Sequence, residues 1–302
     1  MLAQKYPDAY DGIAAAAPAM NWGQLIPSTT WSQVMMSITG LFPPKCELDA
    51  LTNAAIETCD PLDGVEDGLI SDLAKCAFDP FTWVGRTAHC RATNKTVVIS
   101  DAAAIVANFT WTGPRNTNGE FLWYGVDYQA RLAGTEAAVE GSAQNAGVAI
   151  TLCSGNGTCT GLPTGLGDEW FRLFVKKDPD WVYTNIKSAE EFADLFHAGL
   201  QEFDSIIGTV DPDLSAFKSA GGKLLTYHGL VRFLTESRRT LKFLIFCNRP
   251  TKLSPSKALR TIITVSTVQS RILRIFSASS RFPALRTALA AVEVSRRQYF
   301  KH

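Results

Sequence analysis

Three aspartates lie close together in the segment Cys59-Asp-Pro-Leu-Asp-Gly-Val-Glu-Asp-Gly-Leu-Ile70. Asp60, Asp63 and Asp67 fall within eight residues, and carboxylates at that spacing repel one another unless a cation lies among them. Calcium takes roughly six to eight oxygen ligands in flexible geometry. No His or Cys has the spacing that zinc requires, and the terminal glutamate of the helix-loop-helix calcium pattern is missing. We therefore predict a calcium site, and the alternative is a solvated acidic loop with Asx turns.

The cysteines indicate an oxidised protein. Of the seven cysteines, six precede residue 230, and six is a number that pairs completely. Three N-glycosylation sequons, at Asn94, Asn108 and Asn156, lie in the same part of the chain, although each pattern is short and weak alone. Cysteine parity and sequons together favour a secreted, disulfide-bonded glycoprotein over a cytosolic protein.

Two disulfides are expected from the loops that they would close. One cysteine pair flanks the aspartate segment, and another flanks Ser-Gly-Asn-Gly-Thr, a turn-rich stretch that can bring its ends together. The expected pairs are Cys59 with Cys76 and Cys153 with Cys159, while Cys46 and Cys90 pair only by elimination and Cys247 has no assigned partner.

Two segments far apart in the chain are predicted to be core strands. Residues 13–17 are small and apolar without polar alternation, which is typical of a parallel strand buried on both faces. Lys223-Leu-Leu-Thr-Tyr-His-Gly229 is the second strand, and Gly221-Gly222 precedes it. Residues 2–6 are predicted to end a helix before Pro7, and a capped helix is expected over residues 188–200.

The stretch between these strands is expected to be largely an insertion. All seven tryptophans lie in it, and most of them are predicted to pack in the core or between domains. A minority would form an aromatic wall for a ring-bearing or sugar ligand. Gly113-Pro-Arg-Asn-Thr-Asn-Gly119 is predicted to be a turn that leads into an exposed aromatic edge at residues 121–124.

The last 72 residues differ in composition from the rest. They hold 15 Lys+Arg against 2 Asp+Glu and no Gly, Asp or Trp, whereas the first 230 residues hold 14 basic against 27 acidic residues. Such a basic stretch fits a nucleic-acid arm or a membrane-surface segment, or a packed C-terminal subdomain. We expect instead that residues 231–302 are out of frame, as a frameshift or an unspliced intron would cause.

Composition excludes several protein classes. With 46% hydrophobic and 19% charged residues, the chain is not disordered as a whole. The sequence contains no run of eighteen apolar residues, the length that could span a bilayer. The N-terminus lacks the cationic and then apolar order of a signal peptide. We therefore expect Met1 to be a cut rather than a natural start.

Four ordered motifs resemble the fungal tannase and feruloyl esterase family. They are Ala3-Gln-Lys-Tyr-Pro-Asp-Ala-Tyr-Asp-Gly-Ile-Ala-Ala-Ala-Ala-Pro18, the aspartate segment through Asp72, Gly113-Pro-Arg with Phe121-Leu-Trp-Tyr-Gly125, and Gly221-Gly-Lys-Leu-Leu-Thr-Tyr-His-Gly-Leu230. The resemblance covers residues 1–230. It implies an α/β fold with a partial α/β-hydrolase sheet, a large inserted lid, several disulfides, secretion, and a calcium site whose ligands are Asp60, Asp63 and Asp67 with the carbonyls of Val65 and Leu69.

The resemblance also implies a Ser-Asp-His triad, which this chain lacks. The family's nucleophile lies in a Gly-Cys-Ser-x-Gly-Gly elbow upstream of residues 3–7, before Met1. Arg232 occupies the place of the triad acid, and a guanidinium cannot accept a hydrogen bond from imidazole. The family's His-Cys pair is absent, because His302 is the one histidine after His228. His89, His197 and His228 are predicted to be loop, helix-surface and strand-end residues, so no catalytic residue is assigned.

These observations define domains and competing functions. We expect core residues 1–20, a lid at residues 21–215, a core strand at residues 216–230 and the basic tail at residues 231–302. The leading hypothesis is a secreted serine carboxylesterase for hydroxycinnamoyl or galloyl esters, which is inactive as given. It would bind calcium and a small-molecule ester, and we expect it to bind neither nucleic acid nor a membrane. The alternative is a noncatalytic, calcium-stabilised secreted binding protein. A nucleic-acid binder would instead show salt-sensitive binding through the tail.

Overall fold

The two predicted strands pair in parallel although about 210 residues separate them. The computed structural model describes residues 1–134, 147–155, 157–163 and 165–227. Strand β1 is Gly12–Ala16 and strand β6 is Lys223–Tyr227, with Gly12 opposite Lys223 and Ala16 opposite Tyr227. The predicted α/β class and the parallel direction are therefore confirmed, while His228 and Gly229 lie outside the described residues.

Strand β1 is not buried on both faces, so that part of the prediction was wrong. Gly12, Ala14 and Ala16 are exposed, whereas Ile13 and Ala15 are half-buried. The reason is that one face of the β1–β6 pair turns toward the helices, while no described residue covers the other face. A run of alanine carries no polar alternation that would reveal such a difference.

The elements between these strands are mostly helical. They include a π-helix that follows a short α-helix without a break. The bounds are α1 Leu2–Lys5, α2 Trp22–Ser28, α3 Trp31–Thr39, α4 Lys45–Cys59, α5 Asp101–Thr112, α6 Leu166–Glu169, the π-helix Trp170–Val175, α7 Ala189–Ile207 and α8 Ser215–Ser219. Antiparallel hairpins pair β2 Thr87–Cys90 with β3 Lys95–Val98 and β4 Thr151–Cys153 with β5 Cys159–Gly161, and 3₁₀ turns span Asp60–Asp63, Pro80–Trp83 and Tyr183–Asn185.

Helix α7 begins where its cap predicts and ends later than expected. The Ser188 hydroxyl accepts a hydrogen bond from the Glu191 N–H at 3.1 Å, which is N-cap geometry. The helix continues seven residues past Leu200 to Ile207, because apolar residues remain at helical spacing and pack on the aromatic cluster.

Helix α1 ends before Pro7, as predicted, and is fastened to the end of α7. The Lys5 Nζ donates to the carbonyl oxygens of Ser205 at 3.0 Å and Ile206 at 2.8 Å. Carbonyls in the last turn of a helix lack intrahelical partners, so a cation there satisfies them. The chain near Met1 is thereby held against a helix that ends two hundred residues later.

Buried aromatic side chains form the largest core cluster. Trp31, Trp123, Trp170 and Trp181 are buried, and Phe171 and Phe192 are fully enclosed among them. Trp83 and Trp111 pack at the edges of two further clusters, so the predicted packing role holds for most tryptophans. Trp22 is 37% exposed. The described residues include no helix that is long and apolar enough to cross a membrane.

Candidate functional site

The aspartate loop, residues 60–71, starts where α4 ends. Asp60 is buried, and its two carboxylate oxygens accept hydrogen bonds from the backbone N–H groups of Asp67 at 3.2 Å and Gly68 at 2.8 Å. The carboxylate therefore lies inside the loop and fixes its far side. Gly64 and Gly68 have φ values of 93° and 79°, which residues with a Cβ rarely adopt.

The other two carboxylates are also directed at backbone N–H groups. Asp63 accepts from Val65 at 3.0 Å and from Ser71 at 2.9 Å, and Asp67 accepts from Leu69 at 3.1 Å. The bonds from Ser71 and Val65 hold the pKa of Asp63 below its usual range, so this carboxylate is charged at neutral pH. These dipoles offset part of the repulsion that the sequence predicts.

The oxygen atoms of the loop are suitable ligands for a hard cation. Three carboxylates and turn carbonyls are oxygen ligands of the kind that calcium takes, and each carboxylate keeps lone pairs beyond those bonded to N–H groups. Among the described residues, no three His, Cys, Asp or Glu side chains are placed so that they could hold one metal ion. Calcium binding by Asp60, Asp63, Asp67 and the Val65 and Leu69 carbonyls therefore stays a prediction.

A disulfide and a buried amide anchor the loop. Cys59 is bonded to Cys76, and the side chain of Gln129 forms reciprocal hydrogen bonds with the backbone of Ile70, at 3.1 Å to its N–H and 3.3 Å to its carbonyl. Ile70 itself is fully buried. Both ends of the loop are thus fixed whether or not a cation is bound.

The structure contains the three expected disulfides. Besides the bond that closes the aspartate loop, one links the start of α4 to β2, and one joins facing residues of the β4–β5 hairpin. These pairs are Cys46 with Cys90 and Cys153 with Cys159, and Cys247 lies outside the described residues.

Two of the three sequons lie on the described surface. Asn94 is exposed at the tip of the β2–β3 hairpin, with a left-handed φ of 54°. Asn108 is exposed on α5, although the Thr110 of its sequon is buried and bonded to Ser32. Asn156 lies outside the described residues. Glycosylation at the three positions stays a prediction.

A cavity of about 700 Å³ lies beside the β1–β6 pair. Its lining comes from α1, β1, β6, residues 18–20, α2, the α6 and π-helix segment and residues 207–214. Ile13, Ala15, Leu224 and Thr226 supply the sheet wall, and the Thr226 hydroxyl donates to the Ala15 carbonyl at 2.9 Å. Sequence reasoning missed this cavity, because its walls join both ends of the described chain.

Three aromatic rings line this cavity. Trp170 is buried and stacks on Phe174 with ring centroids 5.3 Å apart, while Phe174 is 48% exposed and Trp22 is 37% exposed. Both exposed rings line the cavity. A π-helix carries two of the rings, and π-helical turns are frequent at functional sites. The cavity thus has a buried aromatic wall and an accessible aromatic edge.

The histidines form no catalytic set among the described residues. His89 lies on strand β2 rather than in a loop, so that prediction was wrong, whereas His197 is exposed on α7 as predicted. Neither of them hydrogen-bonds to a serine or a carboxylate in the described ranges. His228, Arg232 and His302 lie outside those ranges.

Comparison with known proteins identifies the family. The sequence model of the family described as "Tannase and feruloyl esterase" matches residues 1–244, fourteen residues beyond the expected end of the resemblance at Leu230. A probable feruloyl esterase of Arthroderma benhamiae is 38% identical over 242 residues, which are 80% of this chain and 42% of that protein. Probable feruloyl esterase B of Aspergillus clavatus is 31% identical over 265 residues, covering 84% of this chain and 43% of the relative.

Solved structures share the fold. A tannin acyl hydrolase from Aspergillus niger matches with a TM-score of 0.74 at 23% identity, over 88% of this chain and 48% of that chain. Feruloyl esterase B from Aspergillus oryzae matches with a TM-score of 0.65 at 23% identity, also over 88% and 48%. The chain therefore spans less than half the length of these proteins. It belongs to the tannase and feruloyl esterase family.

Proposed function

We propose that this chain is part of a carboxylic ester hydrolase that cleaves hydroxycinnamoyl or galloyl esters. The observation that carries this proposal is the family match over residues 1–244, together with relatives named as feruloyl esterases. The same match favours an ester hydrolase over the alternative of a noncatalytic binding protein.

The proposed reaction is acyl transfer through a serine. The serine attacks the ester carbonyl, a histidine takes its proton and delivers it to the departing alcohol, and an aspartate orients the histidine. Water then releases the acid in a second cycle. This chain supplies part of an α/β-hydrolase sheet and the inserted lid, and we propose that it lacks the triad and is inactive as given.

Calcium would act on the structure rather than on the chemistry. The proposed ligands lie in the aspartate loop, which the Cys59–Cys76 bond and the Gln129 amide hold against the core cluster around Ile70 and Phe78. A cation there would neutralise the charge that remains between the three carboxylates. Three disulfides and the sequons support a secreted glycoprotein.

A chimera tests the function. Residues 1–227 of this chain would replace the matching segment of the Arthroderma benhamiae relative, so that the relative supplies the missing parts. We expect the chimera to hydrolyse ethyl ferulate or methyl gallate, a serine-directed phosphonate to abolish the activity, and the chain alone to give no turnover. A folded chimera without activity toward either ester would contradict the proposal, and phosphonate-sensitive turnover by the chain alone would contradict its inactivity.

A further inference from the structure

We propose that the cavity beside β1 and β6 binds a neutral aromatic ester and discriminates against the carboxylate anion that hydrolysis releases. The inference rests on the proposed function for its ligand class, and it adds a charge selectivity that neither the family match nor the relatives' names supply. The cavity's volume of about 700 Å³ lies within the range of about 300–1,000 Å³ that is typical of small-molecule sites.

The aromatic lining favours a planar ring. Trp170 and Phe174 form a stacked pair on one side, and Trp22 lies on α2. Offset stacking and edge contacts between rings add to the burial of apolar surface. Because Trp22 and Phe174 are both partly exposed, a ligand can reach the rings from solvent without unfolding of the surrounding helices.

Three neutral polar side chains of the lining are already engaged in hydrogen bonds. The Gln4 amide donates to the carbonyls of Thr209 and Asp211, and the Thr226 hydroxyl donates to a strand carbonyl. Thr209 Oγ1 accepts from the Asn21 N–H at 2.8 Å. A ligand carboxylate would lose water and would find few donors in the lining that are not already bonded, and burying such a poorly paired charge is costly.

The charge of the lining also disfavours an anionic ligand. Glu169 is the one acidic side chain of the lining, and it forms no ion pair within the part of the chain that the structure describes. The lining that the structure describes contains no lysine, arginine or histidine side chain. An anionic ligand would therefore meet a carboxylate and no cationic side chain.

Direct binding to the full chain tests the inference without any need for turnover. Isothermal titration at pH 8.5 would compare methyl 3,4-dimethoxycinnamate with 3,4-dimethoxycinnamate, a pair that lacks an ionising phenol. We expect saturable binding of the ester, and an anion that binds at least about tenfold more weakly, equal to about 1.4 kcal/mol. Glu169→Gln should reduce this preference several-fold.

Two alanines on one strand provide a matched pair of variants. Ala15 lines the cavity, whereas its neighbour Ala14 points to the opposite, exposed face of β1. Ala15→Phe should abolish ester binding, and Ala14→Phe should leave it unchanged, with circular dichroism used to check that both fold. Should Ala15→Phe fail to fold, Phe174→Ala at the exposed edge replaces it and should weaken ester binding several-fold.

The outcomes separate this inference from the proposed function. Equal affinities for ester and anion, no saturable ester binding, or loss of binding in Ala14→Phe as large as in Ala15→Phe would overturn the inference. An active chimera beside a chain that binds no ester would overturn it and leave the function standing. Ester-selective binding beside a folded but inactive chimera would support the inference and remove the proposed function.

Discussion

The aspartate loop and the cavity satisfy their polar groups in opposite ways. The loop spans a dozen residues, and its carboxylates are bonded to N–H groups of the loop itself. The cavity is built from segments as far apart as Met1 and Thr226, and its polar side chains bond to backbone carbonyls of distant segments. Local sequence can therefore specify a charged site, whereas an apolar site depends on the whole fold.

Removing the disulfide of the loop gives the largest expected effect on stability. The Cys59→Ser, Cys76→Ser double variant opens a loop with a sequence separation of 17, which costs about 3 kcal/mol in the chain-entropy model. Urea unfolding of the intact and variant chains measures the loss. Ester binding in the cavity should persist, since the loop supplies none of the residues that line it.

The matched control is the Cys153→Ser, Cys159→Ser variant. Its loop has a sequence separation of only 6, so the same model gives about 2 kcal/mol. If this variant loses more unfolding free energy than the variant at the aspartate loop, the longer loop is not the one that depends more on its disulfide.

Calcium provides the second way to sharpen the comparison. Adding calcium should raise the Tm of the native chain by several degrees relative to the same chain in chelator, because a ligand that binds the folded state stabilises it. Asp63→Ala should have a lower Tm in calcium and no difference between calcium and chelator. A chelator response in the variant equal to that of the native chain would remove Asp63 from the proposed ligand set.

A change in pH is expected to give the smallest effect. Hydrogen bonds from Ser71 and Val65 lower the folded pKa of Asp63 below its unfolded value, so its contribution to stability is fully present above about pH 4 and is lost as the pH falls through the folded pKa. Asp63→Asn in chelator should therefore flatten the stability profile below about pH 4. A stability profile below about pH 4 that is as steep in the variant as in the native chain would contradict this contribution of Asp63.

The features that the sequence predicts are those whose interacting residues lie close together in the sequence or carry their own local pattern. Three kinds of predicted feature depend on neighbouring residues, and the structure contains all of them. They are the disulfides around the aspartate and glycine-rich segments, the cap at Ser188 and the end of α1 before Pro7. The parallel pairing of two distant apolar runs was also predictable, because each run has its own strand signature.

The features that were missed depend on distant contacts. The exposed face of β1 is decided by what packs against it, and the end of α7 by the contact of its last apolar residues with the aromatic cluster. The strand position of His89 follows from pairing with Thr96 across a hairpin, and its own segment carries no clear alternation. The cavity combines both ends of the described chain, so no local pattern indicates it.

The pairing of β1 with β6 also sets an order of folding. Bringing Gly12 and Lys223 together closes a chain of about 210 residues, at an entropic cost of about 5 kcal/mol for a flexible chain. The disulfides, with sequence separations of 44, 17 and 6, close far shorter loops and bring distant parts of the chain nearer. The helical region with its cross-links should thus fold before the strands meet, and the sheet should assemble last, on a surface that is already rigid.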